Sequence, residues 1–213
     1  MSFEPDYGET LITEEENEAL TVLARGILDE PIRKADVYDL EQLIQRQLTV
    51  ELFGDVADGT LSVPELLSDH FLHDLHRRLY GPVWEWGGRQ RSRETNIGIA
   101  PERIGVELRC ALDDLRYQWK HGTGLTPRAL GVSAHAALVR IHPFVDGNGR
   151  ATRLVADLLF LAAQDKEPLM RYYWNFDRRT YVRLLGEYDL TRESDALVDF
   201  IPIVEVSDDT TQP

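Results

Sequence analysis

Between two helical patterns the chain reads His142-Pro143-Phe144-Val145-Asp146-Gly147-Asn148-Gly149-Arg150, with Arg153 three residues further on. Two glycines around an asparagine allow positive φ and turn successive backbone N–H groups toward one point, a concavity that binds anions. The helix that begins there adds its own unpaired N–H groups and the positive end of its dipole, where phosphate settles. Arg150 and Arg153 lie one turn apart on it, near enough in direction to serve adjacent phosphates. Asp146 is a hard oxygen ligand of the kind Mg²⁺ takes when it keeps most of its waters and also binds phosphate. Pro143 ends the preceding helix and leaves His142 at its close, available for proton transfer. Mere chain reversal would need Gly-Asn-Gly, but neither the histidine, nor the acid, nor two arginines in phase.

The 213 residues suffice for one sizeable core, and one domain behind a helical prefix is the economical reading: prefix 1–60, domain 61–204, polar tail 205–213. Net charge is −14, carried by the ends: residues 1–30 hold nine acids and one base, residues 189–213 seven acids and one base, and 31–188 balance 21 against 21. Acidic flanks on a neutral body argue against nucleic acid as a partner. With no membrane-length apolar run and no signal-peptide pattern in MSFEPDYGET, the expectation is no membrane partner and a cytoplasmic location. The single Cys110 falls inside a helical pattern and is expected to be a buried, inert thiol.

Taken in order, Thr13 with Glu16 reads as a capping box opening a helix from Glu14 to about Arg25, whose apolar face is Leu20, Leu23, Ala24 and Ile27. Leu40, Leu43, Ile44 and Leu48 mark a second helix, and residues 54–59 a loop. Ser62 and Pro64 open a third helix that runs to Gly81-Pro82 and carries His70, His73 and His76. Three histidines at steps of three drift by about 60° per step, so they close no ligand set easily, and the expectation is packing rather than zinc. Residues 89–104 lose helical period and predict a short hairpin. Helices follow from Ile104 to His121, from Pro127 to Ile141 behind the cap Thr126, and through the wide apolar face of Ala151, Leu154, Val155, Leu158, Leu159 and Ala162, which is expected to be central and buried. His135 is read as packing. Aromatics at Tyr172, Tyr173, Trp174 and Tyr181 suit either core or a base pocket.

The run HPFVDGNGRATR resembles the Fic motif, HPFx(D/E)GNGRxxR, at every specified position. The likeness continues upstream in Leu75-His76 and in Trp84-Glu85-Trp86-Gly87-Gly88-Arg89, similar to the family's LH…W-A-G-x-x-R segment with Gly88 shifted by one small residue. Asn96-Ile97-Gly98, Leu112-Asp113-Asp114 and Tyr172-Tyr173-Trp174…Arg178…Tyr181 resemble the subgroup called mobile mystery protein B. The resemblance spans roughly residues 70 to 200.

What it implies is an all-α, Fic-type helical bundle with a β-hairpin flap, Thr95, Asn96 and Ile97 within it, beside the active-site loop. It implies a protein adenylyltransferase that moves AMP from ATP·Mg²⁺ to a Ser, Thr or Tyr hydroxyl of a protein target. His142 would be the base and Phe144 the structural anchor. Asp146 would hold Mg²⁺. Gly147, Asn148, Gly149, Arg150 and Arg153 would bind the nucleotide phosphates. Alternatives at this stage are a catalytically silent or differently specific Fic module of a two-gene toxin–antitoxin-like system with a helix-turn-helix or antitoxin partner, and Doc-type phosphotransfer. Many Fic proteins carry an inhibitory (S/T)xxxE(G/N) helix whose glutamate pairs with the second motif arginine. Glu16-Asn17, or else Glu18, is the candidate here, although Ile12 stands where the motif has a hydroxyl residue.

Overall fold

In the computed structural model, which describes residues 10–122, 124–165 and 168–206, the chain is mostly helical with one small antiparallel pair. The start to residue 9 and the tail from 207 lie outside the described residues. The helices are α1 (Glu14–Ala19), α2 (Val22–Ile27), α3 (Lys34–Ala57), α4 (Val63–Leu66), α5 (Asp69–Tyr80), α6 (Ile104–His121), α7 (Pro127–Ile141), α8 (Asn148–Ala163), α9 (Arg178–Thr191) and α10 (Asp195–Phe200). Strand β1 (Met170–Tyr172) pairs with β2 (Ile203–Glu205), Arg171 opposite Val204.

The motif helix α8 is the axis of the fold, as its apolar face predicts. It packs most extensively on α7 and also against α3, α4, α5 and β1. Ala151, Leu154, Val155, Leu158, Leu159 and Phe160 are all at most 5% exposed. At roughly 1.5–3 kcal/mol for each large apolar side chain buried, this face anchors the loop in front of it. Helix α7 starts as read, with Thr126 Oγ1 accepting from Ala129 N–H at 3.1 Å and Pro127 in the first turn. Helix α6 ends at Gly122, whose φ of 62° forms the left-handed C-cap.

Several expectations change. The first helix is two helices, because Leu20 leaves the helical conformation to bridge Trp84 and bury completely, while Thr21 caps α2 by accepting from Ala24 N–H at 3.0 Å. Leu23 and Ile27, expected on the buried face, are 60% and 58% exposed. Helix α3 runs through the expected loop to Ala57, since Leu52 and Val56 continue the buried stripe begun by Val37 and Leu48. Burying them outweighs the roughly 1 kcal/mol that Gly54 costs in a helix. Its stripe also contains Glu41, only 7% exposed, whereas Leu43 is 47% exposed. The third helix is divided by Ser68, which caps α5 by accepting from Phe71 N–H.

Residues 89–104 are not a hairpin. The segment bends across the surface, and its one ladder contact is the bridge from Gln90 to Phe144. Cys110 is exposed, because it points away from the α6 face formed by Ile104, Leu108, Leu112 and Leu115.

Candidate active site

The loop between α7 and α8 is held from three sides. Asn148 fastens it internally: its Oδ1 accepts from Phe144 N–H at 3.0 Å and its Nδ2 donates to the Phe144 carbonyl at 2.8 Å. Both amide ends are used, so the side chain expected to bind nucleotide is 2% exposed and serves as the loop's clasp. Phe144, fully buried, stacks on His76 with ring centroids 3.7 Å apart and meets His73 edge-on at 5.2 Å. The expected anchor role of Phe144 therefore has its partner on α5.

His76 is the second support. Its Nδ1 accepts from Gly88 N–H and its Nε2–H donates to the Asp146 carbonyl, both at 2.9 Å, which fixes the neutral tautomer. Burial lowers its pKa to about 4. His73 donates from Nδ1 to the Gly88 carbonyl at 2.9 Å. His70 is exposed, and no metal-holding group of three or more His, Cys, Asp or Glu exists among the described residues. His73 and His76 are the two of the row that pack against the loop.

The third support, Arg91, is one that sequence reasoning passed over as part of an alternating surface strand. It is 3% exposed and donates from Nε to the His142 carbonyl at 2.7 Å, and from its terminal nitrogens to the carbonyls of Arg93 at 2.9 Å and of Ile99 and Ile141. Those bonds tie the 91–99 segment to the end of α7. They also support His142 in its left-handed conformation, φ 53°, which a non-glycine residue adopts only when its surroundings impose it. Thr95, Asn96 and Ile97 are exposed beside this corner, Thr95 Oγ1 donating to the Ile97 carbonyl at 2.5 Å, and Gly98 passes so close that a Cβ there would lie 2.5 Å from the His142 Cβ.

His142 is half-buried. Burial, then the charge of Arg91, hold its pKa below the usual histidine value against the opposing pull of the Val139 carbonyl and Asp146. Its Nδ1 is buried and has no hydrogen-bond partner among the described residues. The ring is thus neutral at pH 7 and competent as a base. Asp146 is exposed, with Oδ1 accepting from Gly147 N–H at 2.7 Å. Gly149 is also exposed, and open space lies where its Cβ would be.

Gly147 has φ 73°, and a Cβ there would fall 2.4 Å from the Tyr80 ring. Gly147→Ala is expected to lose about 2–5 kcal/mol of stability, summing the left-handed cost and the forced overpacking. A thermal melt within 1 °C of wild type would contradict the tightness of this approach.

The arginines part company. Arg150 is paired with Glu41 of α3 at 2.6 Å, and the other Glu41 oxygen accepts from Trp84 Nε1–H, also at 2.6 Å. The Arg150 guanidinium also lies 5.0 Å from the Tyr80 ring centroid and 6.0 Å from that of Tyr38. Arg153 has no carboxylate in salt-bridge contact among the described residues. It lies near enough to His135, Tyr181 and Asp157 to act on their titration. The expected pairing of Glu16 or Glu18 with Arg153 is not formed. Glu16 accepts from Thr13 N–H at 2.7 Å and pairs with Lys34 at 3.0 Å, while Glu18 is exposed. The strong local capping geometry claims that carboxylate first.

Residues 66–160 match the family model of the Fic/DOC family. That stretch is a Fic domain. The chain is 37% identical over 129 residues to Protein adenylyltransferase Fic of Drosophila melanogaster, an alignment covering 54% of this chain and 26% of that protein. The counterpart from Drosophila virilis is 34% identical over 129 residues, with 54% and 27% covered. The chain thus spans about a quarter of the length of these curated relatives. Among solved structures, the Fic fold recurs in BepC from Bartonella tribocorum with bound AMPPNP, at TM-score 0.58, 17% identity, and 87% of this chain and 100% of that one covered. It recurs in an N-terminal Fic domain from Bartonella quintana with bound ADP, at TM-score 0.59, 17% identity, and 83% and 89% covered. Fic-1 of C. elegans carrying E274G gives TM-score 0.60 at 19% identity, with 91% and 55% covered.

Proposed function

We propose that this Fic domain transfers AMP from ATP to a Ser, Thr or Tyr hydroxyl of a protein. The observation that carries the reading is the succession along one loop and helix of a neutral, half-buried His142, the N-terminus of α8 at the exposed Gly149, and, one turn further, Arg153 with no carboxylate among the described residues bound to it. The first N–H groups of a helix have no partner within it and accept phosphate oxygens. The names of the Drosophila relatives and the AMPPNP and ADP bound in the Bartonella structures support a nucleotide here.

In this reading His142 Nε2 accepts the acceptor hydroxyl's proton as its oxygen attacks the α-phosphorus, the bond to the bridging β-oxygen breaks, and pyrophosphate leaves. The α8 N–H groups and Arg153 take up charge on the phosphate oxygens. Arg150 contributes less to that field than its place in the motif suggests, because Glu41 offsets its charge. For Mg²⁺, the donor set fits an ion that keeps most of its waters: Asp146 presents one exposed carboxylate beside the phosphate cradle, not a protein cage. Bound there, such an ion would supply charge neutralisation on the phosphates. The target would be presented along the exposed 92–98 segment beside His142. No described helix is long and apolar enough to cross a membrane. A helix-turn-helix or antitoxin companion and a cytoplasmic location belong to the same proposal.

With Mg²⁺ and a cell extract, label from the α-phosphate of ATP is expected to enter protein and γ label is not. Entry of γ label would replace this reading with Doc-type phosphotransfer, and entry of neither would favour a silent module.

A further inference from the structure

From Ala151 to Phe160 the motif helix is fully buried at every residue except two, Arg153 and Asp157, which are half-buried. At about 100° per residue, Asp157 lies between the directions of Arg150 and Arg153, one turn deeper into the fold. It therefore lies on the same side of the helix as Arg153, a cation that no carboxylate among the described residues pairs with. We propose that Asp157 is a positioning residue of the phosphate site, whose charge sets how strongly Arg153 captures an anion. This rests on the nucleotide reading above and adds to it a gate on affinity.

The carboxylate is held in place by two hydrogen bonds. Asp157 Oδ2 accepts from Trp174 Nε1–H at 2.9 Å, and Oδ1 from Tyr172 N–H at 3.3 Å. Trp174 in turn stands 4.9 Å, ring to ring, from His135, which contacts Tyr181 Oη through Nε2 at 2.6 Å. The wall beside Arg153 thus consists of one ionisable acid and several groups that stay neutral. Of the titratable and charged groups near Asp157, α8 supplies Arg153 and β1 supplies Arg171 and Tyr172; α7 and α9 bring Arg128 beside Tyr172, and His135 and Tyr181 beside Arg153. The arginines keep their charge. Burial raises both tyrosines and lowers His135 to about 3, so none of these changes charge near neutrality.

Asp157 does change. Burial raises its carboxyl to about 7 against the two hydrogen bonds and the charges of Arg171 and Arg153. Below that pH the acid is neutral and Arg153 offers a phosphate its full charge. Above it, the carboxylate offsets Arg153 and repels the incoming anion, so affinity falls as pH rises.

The test is ATP affinity of the full chain from pH 5.5 to 8.5, for wild type and Asp157→Asn, with inorganic tripolyphosphate as a second probe. The ratio of wild-type to Asp157→Asn Kd cancels titration of the ligand and of every other group. It should rise from near 1 at pH 5.5 to several-fold at pH 8.5, for both probes. A residue that only supports Trp174 would give a ratio independent of pH, and that result overturns the proposal. If tripolyphosphate shows the pH-dependent ratio and ATP does not bind, the gate stands and the nucleotide reading falls. If neither binds, both fall. Trp174 emission in the absence of ligand checks that Asp157→Asn leaves the wall intact, and Asp157→Ser supplies a second neutral variant should asparagine perturb it.

Discussion

His142→Ala is expected to bind ATP within a few-fold of wild type and to lose about 10²-fold or more in AMP transfer. The histidine closes α7 and lies beside the N-terminus of α8, so in the proposed reaction it would meet the acceptor rather than the phosphates. Its lost contribution is proton removal in the transition state, which appears in kcat and not in nucleotide affinity. Asp146→Ala should behave differently, losing metal dependence and turnover together, because that exposed carboxylate is the one the site offers a cation. The pH profile gives an independent check. Since burial and Arg91 hold His142 below the ordinary value of about 6.5, the midpoint of the acid-side fall in kcat at saturating ATP should lie below that of a free histidine. An unchanged rate for His142→Ala would remove it as the base, and a midpoint above that of a free histidine would contradict its environment.

What the sequence reveals about this site is what is local in it. The motif, the caps of α7 and α8 and the buried face of α8 depend on residues within a few turns of one another, and all are legible. What supports the loop comes from further away. Arg91 looks like one of several arginines in a polar stretch, and only its four bonds to carbonyls around His142 show that it is buried. Glu41 could have been suspected, because it sits four residues after Val37 and seven before Leu48, on the very stripe that α3 buries. An acid on a buried stripe needs a cation, but nothing local says which one. The expected hairpin failed for a related reason. Loss of helical period over residues 89–104 suggested a hairpin, whereas Arg91 pairs with carbonyls of the loop instead of a second strand.

The pair between Glu41 and Arg150 is expected to govern stability more than chemistry. Its side chains are 9% and 22% exposed, and it joins the prefix helix α3 to the motif helix, with Trp84 held by the same carboxylate. Arg150→Ala would leave that carboxylate buried without its counter-ion, a loss of about 3–5 kcal/mol. This is a large part of the roughly 5–15 kcal/mol that holds a domain folded. Glu41→Gln in the same background removes the stranded charge while keeping an acceptor for Trp84 Nε1, so the double variant should be more stable than Arg150→Ala alone. Urea unfolding measures both, provided the m-values agree. The functional counterpart follows from the same geometry: among correctly folded molecules, Arg153→Ala should weaken ATP binding more than Arg150→Ala does, because only Arg153 enters the contact with its charge uncommitted to a bound carboxylate. Equal stability for Arg150→Ala and the double variant would show that Glu41 does not need this arginine, and a larger affinity loss at Arg150 would return that residue to the phosphate.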